Sequence, residues 1–317
     1  MDVPTSHSPL KTFFAVVASI VSGIGVAVQS RLNGELGLLL HDGSLAALIS
    51  FSSGLLILGT LLVFSPTGRK GVVQVITEIR EGSLPWWSIA GGLAGGVLVL
   101  TQGLVAGVLG VALFSVAVIA GQTLGAVVID TRGLIGITKI PLSATRVVGV
   151  ALVAIGVVTT VGLWSGVGQV GWAIALPLVA GVGTGFQQAL NGTVKRVSGS
   201  ALAATFINFA AGTAILLVIT AVMSPLTGGG GAFPSNWLLY LGGFVGTIFI
   251  AIQTVTVNQI GVLGLGVSLV AGQVIGSLTL DLLVPVSAHP ITLVTVVGAA
   301  LTLVGSVVVT LTRTART

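Results

Sequence analysis

Apolar runs separated by short polar breaks recur along the whole chain. Ten of them reach about 20 residues, enough to cross about 30 Å of hydrocarbon at 1.5 Å per residue. They cover roughly 12–33, 44–64, 86–107, 110–129, 145–164, 172–191, 201–223, 237–257, 262–283 and 291–312. The pattern predicts an all-α membrane protein with ten transmembrane helices.

Polar positions inside these runs recur in register. Residues 23–34 read GIGVAVQSRLNG and residues 181–192 read GVGTGFQQALNG, an offset of 158. The same offset pairs Phe51 with Phe209 and Gly54 with Gly212. Residues 109–130 match residues 260–281 at an offset of 151, so a loop of the second half is shorter by seven residues. The chain therefore divides into five-helix repeats at 1–165 and 166–317, forming one compact membrane domain. Five is odd, so successive repeats enter the membrane from opposite sides and a pseudo-two-fold axis lies in its plane. Duplication of this kind marks secondary transporters.

Composition removes most other classes. The chain is 54% hydrophobic and 6% charged, with mean hydropathy +1.15; soluble domains average about 25% charged residues. Too little chain lies outside the spans for a catalytic domain. With no cysteine there is no disulfide frame and no thiolate site. His7, His41 and His289 lie outside the spans without ligand spacing. Neither catalytic residues nor a metal or cofactor is expected. The glycines at 181–185 lie inside a span and Gly228 to Gly231 precede no lysine, so no phosphate-binding loop is present.

Charge orients the chain. With a cytoplasmic N-terminus, eleven basic residues fall inside (Lys11, Arg69, Lys70, Arg80, Arg132, Lys139, Arg146, Lys195, Arg196, Arg313, Arg316) and only Arg31 outside. Both termini are then cytoplasmic. The pI of 10.5 reflects this orientation and contact with an anionic lipid bilayer, not nucleic acid. Trp86, Trp87, Trp164, Trp172 and Trp237 sit at span ends, as an interfacial belt requires.

The five-plus-five plan, the repeated Gln-to-Leu-Asn motif, Phe51 with Gly54, and LGVALFSVAVIAGQTLG followed by Asp130 resemble the YdcZ-like family of bacterial inner-membrane proteins. That family belongs to the drug/metabolite transporter superfamily, and this chain resembles its fused two-repeat form. The resemblance implies a multi-pass exporter of the inner (cytoplasmic) membrane, with a central cavity and alternating access not driven by ATP.

Polar side chains in hydrocarbon mark solute pathways or pack helices together. Gln122 and Gln273, matched and near mid-span, are the first candidates for a substrate site, since an amide offers donors and an acceptor to a neutral or zwitterionic solute. The competing reading is interhelical glue. Gln29 and Gln187 are expected in vestibules on either side, while Asn33-Gly34 and Asn191-Gly192 read as helix caps. Gln102 and Gln253 also correspond and are candidates for the same cavity. The only matched acids, Asp130 and Asp281, fall where a helix dipole disfavours them, so each needs a cation. Arg31 is the expected partner of Asp281, and Arg132, Lys195 or Arg196 of Asp130. These pairs read either as alternating ionic gates or as solvated loop pairs. No Asp or Glu lies mid-span, which argues against simple proton/cation antiport. Glycine pairs four apart, such as Gly121/Gly125 and Gly272/Gly276, predict close helix packing. A secondary transporter of a small polar metabolite or drug-like solute fits best. A channel-like facilitator and a non-transporting scaffold are the rivals, and a homodimer is compatible with all three.

Overall fold

The computed structural model describes residues 9–134, 139–162, 167–228, 230–285 and 291–311. His7, Trp164, His289, Arg313, Arg316 and the expected repeat boundary at 165/166 lie outside them. The described residues are helical with short connections. In chain order come α1 (Pro9–Leu40), α2 (Gly43–Phe64), α3 (Pro66–Arg80), α4 (Gly91–Thr101), α5 (Gly107–Leu109), α6 (Val111–Arg132), α7 (Ala144–Gly162), α8 (Val167–Ser198), α9 (Ala201–Leu226), α10 (Gly242–Leu283) and α11 (Leu293–Leu311).

Caps set several boundaries. The Asp42 carboxylate accepts the Leu45 N–H at 2.9 Å and starts α2. Ser65 caps α3, with Pro66 in its first turn, and Ser200 caps α9. The expected caps at Asn33-Gly34 and Asn191-Gly192 are not caps. α1 runs on to Leu40, where His41 turns left-handed (φ 52°), and α8 runs on to Ser198 before Gly199 (φ 61°). Gly34 instead lets α1 approach the backbone at Ala106 and Gly107, where a Cβ would collide.

Nine helical stretches among the described residues are long and apolar enough to cross a membrane. The run expected to be the eighth span appears as a shorter apolar helix, Trp237–Gln253. It continues into α10, whose 42 residues would extend about 63 Å if straight. They do not. Gly242 accepts a bond from Gln29 and Asp281 lies beside Arg31, so the two ends of α10 sit at one level of α1. Its interior reaches down to Ser22 and Gly23 through Gln253 and Leu269. The chain therefore doubles back, and its arms pass α1 in opposite directions. The first half achieves its equivalent turn differently. A 3-10 turn (Trp86–Ala90), α4, a π turn (Gln102–Ala106) and α5 lead to a break at Gly110, where φ is 78°.

α3 was not foreseen. It is short and amphipathic, burying Gly68, Gly71 and Val75 against α8 and α9 and exposing Arg69, Lys70, Val73 and Ile76. Its 15-residue length and its charged face suit the membrane surface and not the hydrocarbon. The start of α1, the end of α2, α3, and the ends of α6 and α8 lie at one end of the bundle, with Lys11, Arg69, Lys70, Arg132, Lys195 and Arg196; this is the basic end. Arg31 lies toward the far end.

Packing is reciprocal across the sequence offsets. Phe51 stacks on Phe209, with centroids 4.8 Å apart and planes at 28°. A Cβ on Gly54 would overlap Phe209, and a Cβ on Gly212 would overlap Phe51. Gly23 abuts the backbone of Leu269 and Gln273, as Gly181 abuts that of Val118 and Gln122. α2 and α9 run antiparallel, with Thr220 donating to the Ser44 carbonyl at 3.0 Å. Lipid tails supply no hydrophobic drive between helices, so this close approach and its dispersion contacts hold the bundle together. Large apolar side chains such as Leu56, Phe64 and Val218 face outward, as a lipid-exposed perimeter requires.

Candidate functional site: a polar cavity between the halves

A cavity of about 280 Å³ lies at the centre and reaches toward the basic end. Both halves line it, and matched positions meet there: Gln29 with Gln187, Phe51 with Phe209, and Gln122 with Gln273. Each arrives through helix geometry. Gly23 and Gly181 draw α1 onto the second arm of α10 and α8 onto α6, so residues 122 and 273 point between the halves.

Five of the six candidate glutamines border this space. Gln29 donates to the Gly242 carbonyl at 2.9 Å, which holds it against α10. Gln187 donates to Asn208 Oδ1 at 3.2 Å, and Gln253 to Ser22 Oγ at 3.2 Å. Gln273 is buried and its Nε2 has no hydrogen-bond partner among the described residues. An unmade bond of this kind costs about 1–3 kcal/mol. Gln122 is half-exposed to the cavity and makes no side-chain hydrogen bond among the described residues. Interhelical glue would have its donors spent, so these two amides depart from that reading.

Gln102 departs the other way: it lies outside the cavity and is fully buried. Its Oε1 accepts from Asn33 Nδ2 at 2.7 Å and its Nε2 donates to Ser30 Oγ at 3.1 Å. This cluster closes the far end, and the tight seat of Gly34 on Ala106 and Gly107 adjoins it. The corresponding residues at the basic end are Gln188, Asn191 and Gln253. All three line the cavity, and no hydrogen bond joins them among the described residues. A Cβ added to Gly192, which matches Gly34, would meet nothing within 4 Å. One end is zipped and the other apart.

The acids also find partners. Arg31 Nη1 lies 3.9 Å from Asp281 Oδ1, as the charge placement suggested. The carboxylate further accepts the Val111 N–H at 3.0 Å and the Ala112 N–H at 2.7 Å, capping α6 beyond the Gly110 break. A neighbouring helix N-terminus thus offsets the unfavourable dipole of its own helix. Asp130 pairs with Arg146 at 2.5 Å, a partner the sequence did not single out. Proximity explains the choice: Arg146 opens α7, beside the end of α6, and both partners are buried. Lys195 joins no ion pair among the described residues. Both acids are paired at once, although only one end of the cavity is closed.

Sequence reasoning missed Thr123, Thr184, Asn208 and Ser306 on the cavity wall, since single hydroxyls and amides on otherwise apolar helices carry no spacing signal. Phe51 and Phe209 were visible as matched positions, but nothing in the sequence placed them face to face. No group of three or more metal-binding side chains occurs among the described residues.

No curated protein matches the chain. Residues 14–159 and 172–308 each match the family described as "Putative inner membrane exporter, YdcZ". The chain belongs to that family, in a two-repeat form, and is a multi-pass inner-membrane protein of an exporter family, not of an enzyme family.

Proposed function

From membership in a family of inner-membrane exporters, we propose that this chain is a secondary carrier of a small polar solute, working by alternating access between two inverted five-helix repeats. The ten-span reading draws support from the doubled-back α10 and from the antiparallel, reciprocal contacts of α2 with α9. The excess of basic residues at one end supports cytoplasmic termini.

The observation that carries the mechanism is the unequal state of two corresponding clusters. Ser30, Asn33 and Gln102 are bonded together, whereas Gln188, Asn191 and Gln253 are separated around the cavity. With the basic end cytoplasmic, this is an inward-open arrangement. Exchanging the roles of the repeats closes the second cluster, opens the first and turns the cavity outward. Neither cluster is charged, so each opens at the cost of a few hydrogen bonds, worth about 0.6 kcal/mol apiece between membrane helices. Energies of that size permit exchange. The two ion pairs, both intact here, act as permanent ties and not as alternating gates.

The chain has no native cysteine, which makes thiol labelling clean. In membrane vesicles, Asn191→Cys is expected to react rapidly with an impermeant maleimide from the cytoplasmic side. Asn33→Cys is expected to react slowly from the opposite side, and to stop reacting once a bulky thiol adduct at position 191 props the basic end open. Rapid labelling of both variants regardless of the adduct would make the protein a channel. A position 33 that never labels would leave a scaffold.

A further inference from the structure

Among the described residues, the cavity wall carries no charge. Its polar groups are amides and hydroxyls, among them Gln122, Gln273, Thr123 and Thr184, and its remaining surface includes the rings of Phe51 and Phe209. The two matched acids lie off this wall. Asp281 is spent on Arg31 and on two N–H groups of α6, Asp130 is held by Arg146, and neither acid borders the space. Lys195 also lies off the wall.

We propose that the solute is uncharged and not zwitterionic, a planar molecule that presents a donor beside an acceptor, as amides, lactams and nucleobases do. This rests on the carrier reading and narrows its substrate. Bringing an ion or a zwitterion into the cavity removes it from water without supplying a countercharge. A neutral solute escapes that penalty. The hydrogen-bonding demand is specific: Gln273 Nε2 is a buried donor without an acceptor, and the Gln122 amide faces the same space. A side-chain amide carries donor and acceptor in one plane and pairs bidentately with an edge of the same kind, as glutamine does with adenine. The apolar part of the wall, with the half-buried Phe249, Val267 and Val270 among its residues, offers a surface for a flat ring. At about 30 Å³ per water, the cavity holds the equivalent of about nine waters, room for one or two fused rings. Because no described group on the wall titrates, the binding constant is flat from pH 5 to about pH 9, the interval between ordinary carboxylate and lysine ionisation.

The test uses matched probes on the full-length purified protein: nicotinamide against nicotinate, and uracil against orotate, followed by thermal shift and calorimetry. Nicotinamide or uracil is expected to stabilise the protein at every pH in the interval. The carboxylates are expected to bind at least about a hundredfold more weakly, the discrimination that an unpaired buried charge implies. Gln122→Met with Gln273→Met, which keeps side-chain volume, is expected to abolish the nicotinamide effect while leaving the unliganded melting temperature within a few degrees. Equal or tighter binding of nicotinate or orotate overturns the proposal, as does silence from every neutral probe. If the labelling of Asn33→Cys and Asn191→Cys still alternates in that case, only the solute class falls. If it does not, the carrier reading falls too.

Discussion

At Gly23 the backbone of α1 rests directly on that of α10, and a single methyl group would strike the Leu269 carbonyl and the Gln273 N–H. Backbone cannot rotate away as a side chain can, so Gly23→Val must push the helices apart along their length. Loss of folded protein on size-exclusion chromatography is expected, and the same for Gly181→Val. Gly192→Ala meets nothing and gains helix propensity, about 1 kcal/mol in an exposed interior. Its melting temperature is expected to hold or rise. Asp42 offers a second single-residue test, outside the spans. Burial pushes its carboxyl up from the ordinary 3.8, but the hydroxyls of Ser224 and Ser44 and the N–H groups of Leu45 and Ser44 outweigh this and hold it below. A depressed folded value means stability fully present above 3.8 and lost as pH falls through the folded value. The margin of wild type over Asp42→Ala, about 1 kcal/mol at neutral pH as an N-cap, is therefore expected to shrink in acid. Asp42→Asn keeps a capping oxygen without that dependence, so a wild-type margin that persists in acid would refute the assignment.

Among elements, one buried ion pair joins α6 to α7 beside their packing contacts. Removing the Asp130 side of it strands a guanidinium whose Nε and Nη1 already lack partners. Asp130→Asn or Arg146→Met is expected to cost about 3–5 kcal/mol in detergent unfolding, and the double variant clearly less than the sum. This pair also shows where sequence stops informing. Asp130 was recognisable as an acid in need of a cation, but several basic residues lay on its side, and only the turn after α6 decides among them. Long apolar periods were legible because the bilayer dictates their length, and matched glutamines because duplication repeats them. α3 was not legible because it is no span: Val73, Val75 and Ile76 lie among polar residues, and its helical character comes from the Ser65-Pro66 start and its packing on α8. Asn33 misled because an Asn-Gly pair ends helices as a rule, whereas here both residues serve contacts with Gln102 and Ala106 from within α1. Gln102 and Gln253 are identical in sequence logic; conformation alone puts one in a closed cluster and the other on the cavity wall.

On the scale of the molecule, the doubling is imperfect. Among the described residues the second half has no counterpart of α3, carries Thr295 where Arg146 stands once Gly149 and Gly156 are matched to Gly298 and Gly305, and turns through α10 where the first half breaks at Gly110. Two identical inverted halves would make the inward- and outward-open forms mirror occupants of the same energy, each present half the time. Every departure from identity tilts that balance, and about 1.4 kcal/mol is enough to favour one form tenfold. The amphipathic helix sits on α8 and α9 at the basic end, with no equivalent among the described residues at the other. On the carrier reading proposed above, the unmatched pieces therefore tilt which way the empty protein rests, a bias that lies outside the binding site and is free to change independently of what is bound.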